Sequence, residues 1–582
     1  MKNFFKIVAA TLVALILFFG ISATLSMCTL VSLASLSQTE TILTDNAILR
    51  IKLNGKLVER SESDELEALR ALAGDKVSTV ALSDIREALS LARQNTGKIK
   101  ALYLDCEMLS AAPASIEELR QMIAKFREET GMPVFAYADN YSQGAYWLAS
   151  VADSVFLNPH GMVGLTGISM NNMFFSKALD KLGVEMQIFK VGTFKSAVEP
   201  YILDKMSDAN RLQMQTVTDG LWSVMAADIA DGRNVEIEAL NRYIDNGGFL
   251  QPAEYAVELG LVDGLKYRAD VNAMFDTLYT EDSHFVSVSA MRGVKDNTSY
   301  KANKVAVLYA VGGIDDGSSD GIESNKIVSE LNRLAKNDKV KAVVLRVNSP
   351  GGSAFGSEQM WDAARRLKEK KPFIVSMSDY AASGGYYMSC IADTIVAQKS
   401  TLTGSIGIFG MVPNFEGISD KLGVSIDGVK SHDLADFGNT FRPMRDSEKA
   451  LLQRNIERGY ELFVSRCADG RHETADDIKS IAEGRVWLGI DAIGLNLVDV
   501  QGGLDEAIAI AAEKANLTDN YSVAEYPVKK DLYTSLLEML NDDIETRAIR
   551  ARLGINAYLF DHYQRVTGAT GIQALMPYRV DL

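Results

Sequence analysis

The sequence of 582 residues repeats itself at a spacing of 240 positions. This offset aligns the segment that starts at Tyr137 with the segment that starts at Met377, and it pairs Gln143 with Ser383. The same offset brings further residues into register: Asp153 with Asp393, Gly164 with Gly404, Gly167 with Gly407, and the pentapeptide from Asp180 with that from Asp420. An offset held without a gap indicates two homologous domains. Positions at which the two copies differ then indicate where the chemistry is located.

Each copy shows the same alternation of apolar runs and helical patterns. Short apolar strands are predicted at 101–105 in the first copy and at 342–346 in the second. An amphipathic helix follows each of them, at Ile116–Glu129 and at Glu358–Lys370. Strand followed by helix, repeated, is typical of parallel α/β units. The sequence therefore predicts an α/β fold in two tandem domains.

The overall composition excludes several classes of protein. The formal net charge is −16 and no Lys/Arg-rich run is present, which argues against a nucleic-acid partner. The four cysteines have no CxxC or CxxH spacing, and the five histidines are scattered. Neither a zinc site nor a disulfide framework is indicated. We therefore expect no metal and no cofactor.

The N-terminus predicts a membrane anchor. Residues 7 to about 33 carry no charge, and a helix needs ~20 apolar residues to span a bilayer. Two lysines precede this run and the next basic residue is Arg50, so the short end is expected in the cytoplasm and the bulk outside. Two alternatives stay open: a signal peptide cleaved at Ser22-Ala23, and a lipoprotein signal that ends at Cys28.

Composition and the repeat together divide the chain into six segments. They are a cytoplasmic tip with the anchor (1–33), a Ser/Thr-rich tether (34–46), the N-terminal domain (47–294), a charged linker (295–304), the C-terminal domain (305–528) and a tail predicted to be helical (529–582).

Two motifs of the second copy point to acyl chemistry. Gly351-Gly352 follows an apolar strand, and paired glycines let backbone N–H groups approach a ligand as an oxyanion hole requires. Ser383 lies where a strand ends and a helix begins, a corner at which the helix dipole favours developing negative charge. The alternative role for Ser383 is a helix N-cap. The first copy keeps the corner but has neither the glycine pair nor the serine.

A candidate base lies in the other copy. Lys195 aligns with Ala435, so the second copy has no lysine there. Burial lowers the pKa of a lysine and makes the neutral amine usable as a general base. Ser405, which aligns with Leu165, is a candidate to orient that amine. Each copy lacks what the other has, which favours one composite site between the domains.

These motifs resemble those of a known family. The segments Tyr380–Tyr386 and Lys195–Pro200, with the N-terminal anchor and both repeats, are similar to the long, two-domain bacterial signal peptide peptidases of family S49. The resemblance implies tandem Clp peptidase/crotonase-like domains and a serine endopeptidase. It implies these site residues: Ser383 as nucleophile, Lys195 as general base, Gly351, Gly352 and Gly384 in the oxyanion hole, and Ser405 on the lysine.

The resemblance also implies the biological setting. Substrates would be remnant signal peptides and other short apolar peptides, bound beside Gly351-Gly352 by β-addition. The enzyme would be a homotetramer in the bacterial inner membrane, single-pass, with its catalytic domains in the periplasm.

Three other interpretations stay open on sequence alone. A Clp-like triad would use Ser383 with His432 and an aspartate, since His432 lies close to the position that aligns with Lys195. A membrane scaffold would only bind peptides. Acyl-CoA chemistry on a crotonase fold is the third, for which an outward-facing domain has little CoA supply.

Overall fold

The computed structural model describes residues 41–61, 78–279, 283–296, 301–315, 321–518, 520–529 and 572–576, together with Phe18. The predicted anchor, most of the tether, part of the linker and most of the tail lie outside the described residues. Within these ranges no helix is long and apolar enough to cross a bilayer.

The first copy is built on a parallel sheet. Its strands are β1 (Ala47–Val58), β2 (Thr79–Ala81), β3 (Ile99–Ser110), β4 (Val134–Ala138), β5 (Tyr141–Ser142), β6 (Ser154–Leu157), β7 (Val163–Gly164), β8 (Glu185–Lys190), β9 (Gly264–Leu265) and β10 (His284–Ser287). The main sheet has the order β10-β1-β3-β4-β6-β9, and each neighbouring pair is parallel. Strand β2 pairs with the end of β1.

The second copy repeats this sheet. Its strands are β11 (Lys304–Val311), β12 (Val340–Ser349), β13 (Gly351–Ser353), β14 (Phe373–Ala382), β15 (Thr394–Ala397), β16 (Leu402–Gly404), β17 (Phe409–Asn414), β18 (Val486–Leu488), β19 (Val500–Gln501), β20 (Ser522–Tyr526) and β21 (Ile572–Leu575). The parallel series β20-β11-β12-β14-β15-β19 matches the first sheet strand for strand. The predicted α/β class and its repetition are confirmed.

Helices cover the sheets, as the alternating pattern predicts. They are α1 (Leu82–Gln94), α2 (Pro113–Thr130), α3 (Gln143–Ala149), α4 (Ser176–Leu182), α5 (Glu199–Ile202), α6 (Asp208–Arg233), α7 (Ile237–Asp245), α8 (Glu254–Glu258), α9 (Arg268–Tyr279), α10 (Val288–Met291), α11 (Ser324–Lys336), α12 (Ala354–Lys368), α13 (Gly384–Ser389), α14 (Glu416–Leu422), α15 (Asp446–Arg471), α16 (Ala475–Ile481), α17 (Gly489–Ala492) and α18 (Leu504–Lys514). The two helices predicted from the sequence correspond to α2 and α12.

Helix α2 shows how local sequence sets the bounds of an element. Pro113 stands at its first turn, where a missing N–H costs nothing. Gly131 ends the helix in the left-handed conformation, with φ 66°. Between these two residues the face that carries Ile116, Leu119 and Ile123 is fully buried in the core of the first copy.

A third sheet joins the two copies. Its order is β13-β21-β17-β8, so β8 of the first copy pairs antiparallel with β17 of the second. The tail was predicted to be helical, and this is wrong for residues 572–576. Ile572–Leu575 is a strand because backbone partners are available on both sides, in β13 and in β17. Such tertiary pairing overrides local helical propensity.

Buried polar contacts also fix the copies against each other. Arg346 on β12 is fully buried and donates to Glu59 at 2.9 Å and to Glu118 at 2.6 Å, both in the first copy. Asp379 on β14 accepts from the N–H and the hydroxyl of Ser115 at 2.8 and 2.7 Å. A buried charge is tolerated only when it is paired, so these contacts hold the copies in one arrangement.

Candidate active site

Ser383 occupies a strained corner between β14 and α13. Its φ of 55° and ψ of −111° lie outside the regions that L-residues favour. The backbone N–H donates to the carbonyl oxygen of Gly404 at 2.8 Å, which fixes the corner. The side chain makes no capping hydrogen bond to the helix. The N-cap alternative for the hydroxyl is therefore wrong, and the hydroxyl is available to another partner.

That partner is the amine of Lys195. Its Nζ lies 2.7 Å from Ser383 Oγ, although the two residues are 188 positions apart in the chain. The same amine donates to the carbonyl oxygen and the hydroxyl oxygen of Ser405, each at 3.0 Å. All three side chains are fully buried. The three residues that the sequence singled out thus meet within a single chain.

Burial sets the protonation state of Lys195. Desolvation lowers the pKa of its amine well below the ordinary value, because the apolar surroundings disfavour the charged form. Among the described residues, the hydrogen-bond partners of this amine are the neutral hydroxyls of Ser383 and Ser405 and the carbonyl of Ser405, and none is a carboxylate. A neutral amine offers two N–H donors and one lone pair, and it can therefore donate to Ser405 while it accepts from Ser383.

Two glycines of the second copy make room for the lysine stem. A Cβ on Gly484 would lie 2.7 Å from both the Cβ and the N of Lys195, and a Cβ on Gly407 would lie 3.3 Å from its Cδ. Phe194 donates its N–H to the carbonyl oxygen of Glu483 at 2.9 Å, which docks the lysine segment by its backbone. Sequence reasoning missed Gly484. Its distance along the chain from Lys195 gives no signal, because only the fold brings the two together.

The glycine pair lies beside the same corner. Gly351 has φ 102°, and a Cβ on it would lie 2.8 Å from the N of Gly384. The two backbones therefore approach more closely than any other residue type would permit. The N–H of Gly351 donates to Ser349 Oγ at 3.2 Å, and Gly352 pairs with Ala574 in the antiparallel ladder. Their assignment to an oxyanion hole stays a prediction.

A half-buried amide, Asn348, and a buried carboxylate, Asp379, lie beside the glycine loop, and sequence reasoning missed both roles. Asn348 donates to Asp379 at 2.9 Å and accepts from the N–H of Tyr380 at 3.3 Å. Burial raises the pKa of Asp379. The repeat contains a signal for this pair, since Asp379 aligns with Asp139, but alignment alone does not reveal that one is buried and the other half exposed.

The residues of the competing triad lie elsewhere. His432 is exposed and its Nδ1 shares a hydrogen bond with Ser431 Oγ at 2.9 Å. Asp433 is exposed as well. Within the described ranges no cluster of three or more His, Cys, Asp or Glu could hold a metal ion, and Cys106, Cys390 and Cys467 are buried free thiols.

A buried serine and an amine with a lowered pKa, beside paired glycines, define a candidate serine hydrolase site. Comparison with known proteins is more specific. The profile of peptidase family S49 matches residues 126–280 and 365–518, one segment in each copy. The chain belongs to peptidase family S49, in the long form with two tandem domains.

Relatives match along most of the chain. Protease 4 of Haemophilus influenzae is 35% identical over 541 residues, which is 89% of this chain and 88% of the relative. Protease 4 of Salmonella typhi is 36% identical over 494 residues, with 81% and 79% covered. The chloroplastic serine protease SPPA of Arabidopsis thaliana is 29% identical over 493 residues, with 82% and 72% covered. A solved ClpP1 mutant from Listeria monocytogenes matches with 12% identity and a TM-score of 0.24, over 35% of this chain and 94% of that one.

Proposed function

We propose that this protein is a membrane-anchored serine endopeptidase that uses Ser383 and Lys195 as a catalytic dyad. The observation that carries the proposal is the 2.7 Å contact between Lys195 Nζ and Ser383 Oγ in a fully buried setting. A lysine held neutral by burial can act as the general base that a histidine supplies in other serine peptidases.

The reaction would proceed in two steps. Neutral Lys195 takes the proton of Ser383 as the hydroxyl oxygen attacks the peptide carbonyl carbon, and the protonated amine then passes that proton to the leaving amine nitrogen. Water attacks the acyl-enzyme in the second step, with Lys195 again as the base. Ser405 orients the amine throughout, since both of its oxygens accept from Nζ.

Backbone N–H groups would stabilise the oxyanion. Gly351, Gly352 and Gly384 are the donors that we assign to it, because Gly384 directly follows Ser383 and the backbone of Gly351 lies against the N of Gly384. Loss of one such donor in a serine protease costs ~10²–10³ in rate. The strained φ of Ser383 supports this assignment, since strain of this kind is retained where geometry matters for function.

The wider setting follows the family resemblance. We assign the two domains to the Clp peptidase/crotonase-like fold, and we assign residues 1–33 to a single membrane-spanning anchor. The substrates would be remnant signal peptides and other short apolar peptides. A homotetramer in the bacterial inner membrane, with its catalytic domains in the periplasm, is the expected assembly.

Hydrolysis of an apolar signal-sequence peptide by the full chain in detergent tests the dyad. Wild type is compared with Lys195→Ala and His432→Ala. We expect activity to be lost in Lys195→Ala and retained in His432→Ala, because His432 is exposed and bonded to Ser431. The reverse result would move the base to His432. Covalent labelling by a serine-directed probe that persists in Ser383→Ala would remove Ser383 as the nucleophile.

A further inference from the structure

Helix α6 of the first copy contacts the second copy through a buried polar side chain. Gln213 on α6 is 1% exposed, and its side-chain oxygen accepts from the N–H of Val486 at 2.8 Å. Val486 lies on β18, which ends the described part of the second sheet on one side, and it is opposite Gly404 of β16 in the antiparallel ladder. A buried backbone N–H at a sheet edge needs an acceptor, and here the other copy supplies it.

The other end of the same carboxamide contacts the segment that carries the proposed base. Gln213 Nε2 donates to the carbonyl oxygen of Phe194 at 3.5 Å, and Phe194 directly precedes Lys195. A carboxamide has both donors and an acceptor, so one side chain can bind a carbonyl oxygen and an N–H at once. Gln213 therefore connects the backbone beside Lys195 to strand β18.

The connection continues through β18 to the corner that carries the nucleophile. Gly404, which lies opposite Val486, accepts from the N–H of Ser383 at 2.8 Å. The hydroxyl of Ser383 in turn lies 2.7 Å from Lys195 Nζ. These contacts form a closed circuit, in which Gln213 joins the backbone that holds the lysine to the strands that hold the serine.

A buried carboxylate fixes the other end of the lysine segment to the same helix. Glu199 is 2% exposed and accepts from the amide of Asn210 at 2.9 Å and from the hydroxyl of Ser207 at 2.5 Å. Asn210 and Gln213 are three positions apart in α6, so they lie on one face of the helix. That face holds the lysine segment at both of its ends, and a shift of the segment against α6 would move Lys195.

We propose that Gln213 is a positioning residue, which sets Lys195 against Ser383 by connecting the lysine segment to β18. The proposal rests on the proposed function, since it takes Lys195 to be the general base. A lysine has a long, flexible side chain, so its amine keeps one position only if both ends of the side chain are held. Ser405 holds the amine, and Gln213 holds the backbone. A catalytic group misplaced by about 1 Å costs on the order of 10²-fold in rate, so loss of Gln213 should lower kcat and leave KM unchanged.

Covalent labelling of Ser383 by a fluorophosphonate probe tests this role in the full chain in detergent. Gln213→Met keeps the length of the side chain and removes both hydrogen bonds, while Gln213→Glu keeps the acceptor for β18 and loses the donor to the lysine segment. Gln215→Met is the matched control, because Gln215 is exposed on the same helix and donates to Asp219. We expect labelling to be about 10- to 100-fold slower in Gln213→Met, slower than wild type in Gln213→Glu, and unchanged in Gln215→Met. Wild-type rates in both Gln213 variants would overturn the proposal.

A double variant separates a positioning role from a structural one. A residue that acts through the lysine should have no effect once the lysine is gone, so adding Gln213→Met to Lys195→Ala should change the labelling rate by no more than about twofold. An equal loss in both backgrounds would overturn the proposal, since Gln213 would then support the fold or Ser383 and not the base. With a short apolar peptide as substrate, kcat of Gln213→Met should fall at unchanged KM, and a change confined to KM would contradict the proposal as well.

The same labelling experiment gives the proposed function an outcome of its own. Lys195→Ala alone should slow the labelling of Ser383, because the base is lost. Labelling of Lys195→Ala at the wild-type rate would refute the dyad, and the role of Gln213 with it. Slow labelling of Lys195→Ala together with wild-type labelling of both Gln213 variants would refute the positioning role alone and leave the dyad intact.

Discussion

The two copies build the same corner and use it differently. In the first copy Gln143 takes the place of Ser383, and its side-chain oxygen accepts from the N–H groups of Thr166 and Gly167 at 3.1 and 3.0 Å. The hydroxyl of Ser383 makes no capping hydrogen bond to its own helix and contacts Lys195 instead. A side chain that hydrogen-bonds to nearby backbone groups stabilises its own domain, whereas a side chain without such bonds is available for chemistry.

The segments that follow the corner differ in the same way. The Lys195 segment of the first copy is buried against the second copy. Its counterpart around Ala435 is exposed, and apolar side chains such as Val429 and Phe437 face solvent. The chain therefore forms one composite site and not two equivalent ones. The Lys195 segment of the first copy packs against the second copy, whereas the segment around Ala435 is exposed to solvent.

Charge in the sheet centre is reversed between the copies. Asp105 on β3 is paired with Arg50 and Arg268 of its own copy. Arg346 on β12 is paired instead with Glu59 and Glu118 of the other copy. A charged residue at this position of the sheet therefore makes ion pairs within its own domain in the first copy and ion pairs between the domains in the second.

Exchange of the corner residue gives the largest expected effect. Ser383→Gln, which installs the residue of the first copy, should lower kcat/KM for an apolar peptide at least about 10⁴-fold, because the proposed nucleophile is lost. The reciprocal Gln143→Ser should leave activity within about twofold of wild type, since Lys195 contacts Ser383 of the other corner. Steady-state kinetics on both variants check the comparison. Peptidase activity gained in a Ser383→Gln, Gln143→Ser double variant would contradict it.

Loss of the inter-copy charge comes next. Arg346→Ala removes the cation shared by the buried carboxylates of Glu59 and Glu118, and should lower the free energy of unfolding by about 3–5 kcal/mol. The matched change Arg333→Ala, at an exposed pair with Glu330, should cost no more than about 1 kcal/mol. Urea denaturation of the full chain measures both. Equal midpoints would show that the copies do not depend on this contact.

Displacement of the lysine should produce a selective loss of activity. In Gly484→Ala the new Cβ collides with the backbone of Lys195, and a catalytic group misplaced by about 1 Å costs on the order of 10²-fold in rate. Gly423→Ala is the control, since Gly423 has a similar φ of 69° but open space around it. Both variants carry backbone strain and only Gly484→Ala should lose kcat. A comparable kcat loss in Gly423→Ala would attribute the effect to strain.

The smallest predicted effect is on stability as a function of pH. The folded protein keeps Lys195 neutral below the ordinary lysine pKa, whereas the unfolded chain binds a proton there. The unfolded state then binds more protons, so the free energy of unfolding rises with pH, by up to about 1.4 kcal/mol per pH unit from this group. The free energy of unfolding rises in this way over the pH range between the lowered pKa of Lys195 in the folded protein and its ordinary pKa in the unfolded chain.

Lys195→Met removes this slope. The free energy of unfolding of Lys195→Met minus that of wild type should therefore increase as the pH falls below the ordinary lysine pKa. Urea denaturation at several pH values measures this difference. Ala435→Lys, an exposed lysine at the aligned position of the second copy, should leave the pH dependence unchanged. Parallel pH profiles for wild type and Lys195→Met would show that the amine is protonated in the folded state.

The two-domain α/β fold and the contact between Lys195 and Ser383 could both be predicted from the comparison of the two repeats. An ungapped offset reports a shared fold, and differences at Ser383, Lys195 and Ser405 stand out against it. The resemblance to family S49 supplied their roles. The distance of 2.7 Å between Nζ and Oγ agrees with that expectation, although their catalytic roles stay a proposal.

What the sequence could not supply depends on contacts between distant segments. The walls around the lysine stem, the pairing of Arg346 with Glu118 and the strand at 572–576 are all set by tertiary packing. The four-residue strand Ile572–Leu575, held by backbone pairing on both sides, is too short to have a periodicity that distinguishes it from a helix. The positive φ of Ser383 is likewise imposed by its surroundings, since serine does not favour it.

The separation of Lys195 from Ser383 by 188 positions has a consequence for the time course of synthesis. Domains fold in order as the ribosome makes them, at about 5–20 residues per second. The first copy emerges with its amine and without a serine, and on the proposed mechanism it is inert. On the same mechanism, peptide hydrolysis would begin only after the second copy has been translated, folded and docked. A chain interrupted before that point would have the amine without the serine, and on the proposed mechanism it would not hydrolyse peptides.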